Sequence, residues 1–307
     1  MHSQQTHTKK KLHQQIQSVY IYVLAAANFI NTLTYNCNHS PRSLGTTFTL
    51  VNRCDYTVWP GILSNAGSSG LDTTGFQLQP GATRSFQAQP GWSGRFWGRT
   101  GCSFDPATGQ GSCATGDCGS NQMECNGGGA TPPATLAEFT VGSGAGQDFY
   151  DVSLVDGYNL PMLIETVGGS GACGSTGCVT DLNRMCPKEL RAGEGQACKS
   201  ACEAFRSPEY CCSGAYGSPD TCRPSMYSEI FKNACPKSYS YAYDDATSTF
   251  TCSGSRLYDY ILPFTHKSEI FKRLFTTSNG GRNNKRATTT GHSNKPSRRV
   301  GFSGTRH

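Results

Sequence analysis

Between residues 46 and 264 the sequence contains no histidine; the chain's seven stand at His2, His7, His13, His39, His266, His292 and His307. Ser-His-Asp and Cys-His catalysis and His-ligated metals are therefore excluded from that body. Charge is sparse as well, with 16% Asp, Glu, Lys and Arg. No apolar run reaches the roughly 20 residues that a membrane-spanning helix needs; the longest covers 19–30 and is interrupted by Asn28. Cys-x-x-Cys pairs with His or Cys partners at zinc spacing are also lacking, so neither a metal nor a cofactor is expected.

What is abundant is cysteine, 16 residues, and glycine, 36 of 307 against a usual share of about 7%. That composition fits an oxidised, turn-rich globule. The formal charge of +6 is unevenly placed: 1–45 carry +4 and 265–307 carry +9, which leaves −7 on the body. The basic residues thus lie in two low-complexity ends, and nucleic acid is not an expected partner. Lys9, Lys10 and Lys11 precede an apolar core at 19–27 that ends in Ala25, Ala26 and Ala27, the parts of a secretory signal. Residues 1–45 are read as signal and leader, and 265–307 as a disordered basic tail.

From Thr46 the texture becomes strand-like. Runs at 47–52, 55–59, 75–78, 83–88, 94–98, 137–141 and 149–155 are alternating or β-branched, and Pro60-Gly61, Pro80-Gly81 and Pro90-Gly91 read as stops or turns. This spacing predicts a β-sandwich. From about 168 to 235 cysteines crowd together with short helical signals. A helix over 196–205 would place Ala197, Ala201 and Phe205 on one face and Cys198 one turn from Cys202, with Pro208 ending it. A second helix is expected from Pro224 to about Ala234. The body holds fifteen cysteines, an odd number, and spacing alone leaves their connectivity open.

Three segments resemble the thaumatin-like, or group-five pathogenesis-related, proteins of plants: Gly109-Gln-Gly-Ser-Cys-Ala-Thr-Gly-Asp-Cys118 leading to Cys125, Thr135-Leu-Ala-Glu-Phe139, and Asp148-Phe-Tyr-Asp-Val-Ser-Leu-Val-Asp-Gly-Tyr-Asn-Leu-Pro-Met162. The likeness extends over about 46–264. It implies a mainly β fold, a thaumatin-like sandwich of about 11 strands with a disulfide-rich, partly helical second region and an acidic cleft between them. It further implies the pairs Cys102–Cys113, Cys118–Cys125, Cys173–Cys252, Cys178–Cys235, Cys186–Cys198, Cys202–Cys211 and Cys212–Cys222. Cys54 is left outside these seven, because 258–264, where the family carries its partner, has no cysteine and Pro263 stands near the place. Asn121 occupies a position where many members have Gly, a mild change since Asn tolerates left-handed geometry.

Without histidine, acid–base work near neutral pH would fall to carboxylates with raised pKa, and Glu138, Asp151, Asp156 and Asp244 or Asp245 are the candidates. Asp151 and Asp156 are five apart, so strict alternation would point them to opposite faces; a turn near 154–157 is needed to unite them. The resemblance implies a cleft of one Arg, one Glu and three Asp, matched by Arg95, Glu138, Asp151, Asp156 and Asp244. Glu138 would serve as general acid and Asp151 as second carboxylate, with Arg95, Asp156 and Asp244 holding substrate. Ionised carboxylates equally bind a neutral glucan through its hydroxyls, with Tyr150 or Tyr158 covering sugar faces, and the acids could instead be structural. Trp59, Trp92 and Trp97 are assigned to the core.

The resemblance implies a secreted, apoplastic, monomeric antifungal protein that binds β-1,3-glucan of fungal walls or acts on fungal membranes, with weak endo-β-1,3-glucanase activity as an extension. The alternatives are an inhibitor of a pathogen's hydrolase, which would use a surface patch, and a defective family copy.

Overall fold

The computed structural model describes residues 45–143 and 146–261, the backbone alone for 255–260. The leader expected over 1–45, Gly45 apart, and the tail of 265–307 lie outside the described residues. Nine strands form one hydrogen-bonded system: β1 (Thr47–Asn52), β2 (Trp59–Ser64), β3 (Thr83–Gln87), β4 (Ser93–Arg99), β5 (Leu136–Thr140), β6 (Asp148–Ser153), β7 (Met162–Ser170), β8 (Thr176–Cys178) and β9 (Phe250–Ile261). Two ribbons of two-residue strands, Ser103–Phe104 with Gly111–Ser112 and Arg191–Ala192 with Ala197–Cys198, stand apart from it.

The last strand makes the sandwich. Phe250, Thr251 and Cys252 of β9 pair with β6, while the later part of the strand pairs with β7 on one side and, in parallel, with β1 on the other. One sheet therefore runs β3-β1-β9-β7-β8 and the other β2-β4-β5-β6, continued by the start of β9. Alternation along each strand sends one set of side chains between the sheets. Phe48 and Leu50 of β1 meet Phe96 of β4, Phe139 of β5 and Val152 of β6 in one buried cluster. The Phe48 ring lies 4.7 Å from that of Phe139 and 5.3 Å from that of Phe96. Trp92 and Trp97 are core residues, as the sequence predicts, whereas Trp59 is only half-buried.

Pro60-Gly61 does not stop a strand. β2 begins at Trp59 and runs through both residues, because it ends its sheet, where a residue lacking N–H is tolerated. Gly61 lies flat on Trp97, and a Cβ there would come within 2.3 Å of the indole. Asn121 takes the left-handed conformation, φ 55°, as its chemistry allows.

The seven disulfides among the described residues are those implied by the resemblance. Cys54 lies outside them, in the sandwich core, where burial pushes its thiol up to about 11. The second region has its own small core, in which Leu154, Tyr158, Leu190 and Phe231 pack around disulfide sulfurs. Its helices are shorter than periodicity suggests. Residues Ala197–Cys198 are held extended, since Cys198 exchanges two backbone hydrogen bonds with Tyr158, and the helix starts only at Ala201, capped by the Ser200 hydroxyl. Pro208 opens the next helix, Pro208–Cys211. The helix Met226–Ala234 carries a capping box formed by Ser225 and Ser228.

Candidate functional site

Arg95, Glu138 and Asp151 sit at matching positions on three adjacent strands: Arg95 of β4 faces Glu138 of β5, and Glu138 faces Asp151 of β6. Residues directly opposite in a sheet share a face. Their neighbours Phe96, Phe139, Tyr150 and Val152 point into the core, so the charged row stands on the outer side. Arg95 Nη2 lies 3.5 Å from Glu138 Oε1.

β6 ends at Ser153, and the next residues form the turn that the spacing of Asp151 and Asp156 requires: Gly157 N–H donates to the Leu154 carbonyl at 2.9 Å, with Gly157 at φ 89°. The segment around Tyr239 is laced alongside, since Tyr239 N–H donates to Val152 and Leu154 N–H donates to Tyr239. An open cavity of about 390 Å³ results, lined by Arg95, Glu138, Asp151 and Asp156, with Tyr239 and Asp245 among the facing residues. The Tyr239 hydroxyl donates to Asp245 Oδ1 at 2.9 Å.

Asp244 is not part of this lining, contrary to the sequence reading. Its Oδ2 is ion-paired with Lys232 Nζ at 2.9 Å and accepts from the Ser240 N–H and hydroxyl, so its neighbour Asp245 supplies the third aspartate. Tyr150 and Tyr158 cannot cover a sugar either. Both are buried, their hydroxyls donating to the carbonyls of Gly174 and Thr180. Tyr239 was missed by sequence reasoning; only its neighbourhood to Asp244 and Asp245 hinted at it.

Burial pushes the Asp151 carboxyl up to about 8, the Glu138 charge adds to the rise, Arg95 opposes it, and Asp245 contributes a further push. Glu138 is also raised, by burial first, with Arg95 pulling it down and Asp156 pushing it up. Among the described residues, Arg95 Nε and Asp151 Oδ1 are buried polar atoms with no protein partner. Such atoms are rare in folded proteins, and here a donor and an acceptor lie in the same charged row. The row thus offers a proton-bearing carboxyl near neutral pH at Asp151, a second carboxyl at Glu138 beside a guanidinium, and unmet hydrogen-bonding capacity.

The sandwich with its cysteine-stapled second region defines the class, and the chain belongs to the Thaumatin family, whose profile matches residues 52–266. It is 67% identical over 241 residues to thaumatin-like protein 1 of Arabidopsis thaliana, covering 76% of this chain and 92% of that one. A protein of Prunus avium named glucan endo-1,3-beta-glucosidase is 52% identical over 216 residues, 69% of this chain and 88% of its own. Among solved structures, a laminaripentaose-producing beta-1,3-glucanase in complex with laminaritetraose has the same fold at 11% identity, with TM-score 0.50 over 72% of this chain and 99% of that one.

Proposed function

We propose that this is a secreted plant defence protein that binds β-1,3-glucan of fungal walls in the cavity beside β4, β5 and β6, and that hydrolyses it slowly. The observation that carries the reading is the Arg95-Glu138-Asp151 row with its two unpartnered buried atoms. A neutral glucan presents hydroxyls that both donate and accept, which suits a site offering carboxylate oxygens beside a guanidinium N–H. The glucosidase name borne by the Prunus avium relative and the name pathogenesis-related protein 5 borne by an Arabidopsis thaliana relative, 58% identical, support the substrate class and the defensive role.

For hydrolysis the two acids exchange the roles expected from the sequence. Arg95 sits on Glu138 and favours its ionised form, while Asp151, pushed up to about 8, keeps its proton at neutral pH and is the better donor to a glycosidic oxygen. Glu138 then activates water or attacks the sugar. Seven disulfides fit the oxidising environment outside the cell. The test is sedimentation of the oxidised protein with insoluble β-1,3-glucan, beside the Glu138→Gln/Asp151→Asn variant, with reducing ends assayed in the supernatant. Binding lost in the variant supports the site; wild-type protein that stays in solution refutes the glucan reading, and binding without released sugar refutes the hydrolytic part.

A further inference from the structure

The second region carries a cluster of one exposed ring, Phe205, and two half-buried ones, Tyr210 and Tyr227. Phe205 ends one short helix, Tyr210 lies in the next and Tyr227 near the start of the helix Met226–Ala234, yet their ring centres are 5.3 to 6.0 Å apart. The Cys202–Cys211 disulfide clamps the first two helices together, and the Tyr227 hydroxyl donates to Glu189 at 3.1 Å. Phe205 remains 41% exposed. Tyr227 also packs against the small core of the second region, so the ordering cost of the cluster is already met before anything docks on its exposed edges.

This cluster adjoins the acidic cavity. Tyr210 and Tyr227 line a narrow notch together with Val155, Ser240 and Tyr241. Val155 also lines the acidic cavity, and along 239–242 the chain feeds both, with Tyr239 and Ala242 in the cavity and Ser240 and Tyr241 in the notch. The notch holds about 20 Å³, room for a water and not for a sugar ring. An occupant must therefore lie over it, on the rings.

We infer that the Phe205-Tyr210-Tyr227 platform is a second subsite for the glucan chain, taking sugar units beyond those held at Arg95, Glu138 and Asp151. The inference rests on the glucan reading of that cavity. The C–H face of a pyranose stacks on an aromatic ring while its equatorial hydroxyls reach polar rim groups, here Glu209 and Arg223. Continuity through Val155 favours one chain crossing both sites over a separate protein partner. The protein would then select long glucan over short fragments.

The experiment is calorimetric titration of β-1,3-gluco-oligosaccharides, from the disaccharide to the octasaccharide, into the wild-type protein and into Tyr210→Leu/Tyr227→Leu. A Phe205→Ser variant serves as an independent, exposed probe, and thermal melts check folding. Wild-type affinity is expected to climb in two stages with length, the second worth about tenfold, the scale of one or two aromatic contacts. Both ring variants should keep the first stage, with unchanged affinity for the shortest ligands, and lose the second. A second stage that survives in the variants, or that is missing in the wild type, overturns the platform while leaving the cavity intact. If no oligosaccharide of any length binds, the glucan reading falls and the platform with it, and the rings are left to a protein contact.

Discussion

At the scale of single residues, the difference between Asp244 and Asp245 is the sharpest check on the site. Both were visible in the sequence as candidates, but only the partners of each side chain separate them: Asp244 is held by Lys232 and Ser240, whereas Asp245 faces the cavity and accepts from Tyr239. Asp245→Asn should weaken glucan binding several-fold, and Asp244→Asn should leave binding nearly unchanged while lowering the melting temperature; glucan sedimentation and thermal melts of the two variants check this. Asp151 makes a pH prediction. Its folded pKa of about 8 lies above the ordinary carboxylate value of 3.8, so between those values the folded state holds more proton than the unfolded chain. The stability it contributes is present in full below pH 4 and is lost as pH rises to about 8. Asp151→Asn should therefore melt several degrees higher than wild type at pH 8 and at nearly the same temperature at pH 4. A variant equally or less stable at pH 8 would mean that Asp151 is not held in its neutral form. Tyr150 and Tyr158 show the limit of reading residues singly, because a tyrosine's place in core or cleft depends on the face its strand turns outward, and both hydroxyls are satisfied inside.

At the scale of elements, part of the strand set was legible because alternation is a local property: Thr47–Asn52 appears at the expected bounds and Leu136–Thr140 within a residue of them, whereas 55–58 and 75–78 form no strand, and Met162–Ser170 and Phe250–Ile261 were not expected. Register was not legible, and register is what brings Arg95, Glu138 and Asp151 into one row. The helix at 196–205 shortened because tertiary pairing of Cys198 with Tyr158 outweighs helical periodicity. Pro60 misled for a similar reason: its tolerance depends on where β2 falls in the sheet. Arg99, at the end of β4, locks this edge. It is completely buried, donates from Nε to the Trp59 carbonyl at 2.9 Å and from Nη2 to those of Met123 and Pro60 at 2.6 and 3.3 Å, and burial pulls it down to about 10. Arg99→Leu takes a donor from the Trp59 and Met123 carbonyls, at about 1–3 kcal/mol for each one left unsatisfied, while that of Pro60 keeps the Phe76 N–H at 3.2 Å. A loss of at least about 2 kcal/mol is expected in denaturant unfolding, and a loss below about 1 kcal/mol would contradict the lock.

Across the whole molecule, connectivity of the cysteines was beyond spacing arguments and came only through the family likeness, which the seven bonds bear out. Their contributions should differ with the span they close. Cys173–Cys252 links residues 79 apart and Cys118–Cys125 residues 7 apart. With Cys178–Cys235 intact and nested inside the first span, the loop that Cys173–Cys252 closes is about 23 residues, and loop entropy gives about 3.4 and about 2.5 kcal/mol respectively. Replacing both cysteines of each pair by Ala should therefore cost more stability for the first, as read by urea unfolding; the opposite order would place the stabilisation in local packing. The cavity, by contrast, depends on long-range assembly, since its walls come from β4, β5, β6 and the 239–245 segment, and no stretch of sequence contains it.

The measurement that bears most directly on the central claim is a crystal structure of the oxidised protein soaked with a β-1,3-gluco-oligosaccharide. The account predicts sugar density against Glu138, Asp151 and Asp245, with Arg95 Nε and Asp151 Oδ1 each gaining a hydrogen bond. Oligosaccharide bound elsewhere on the surface, with this cavity empty, would contradict it.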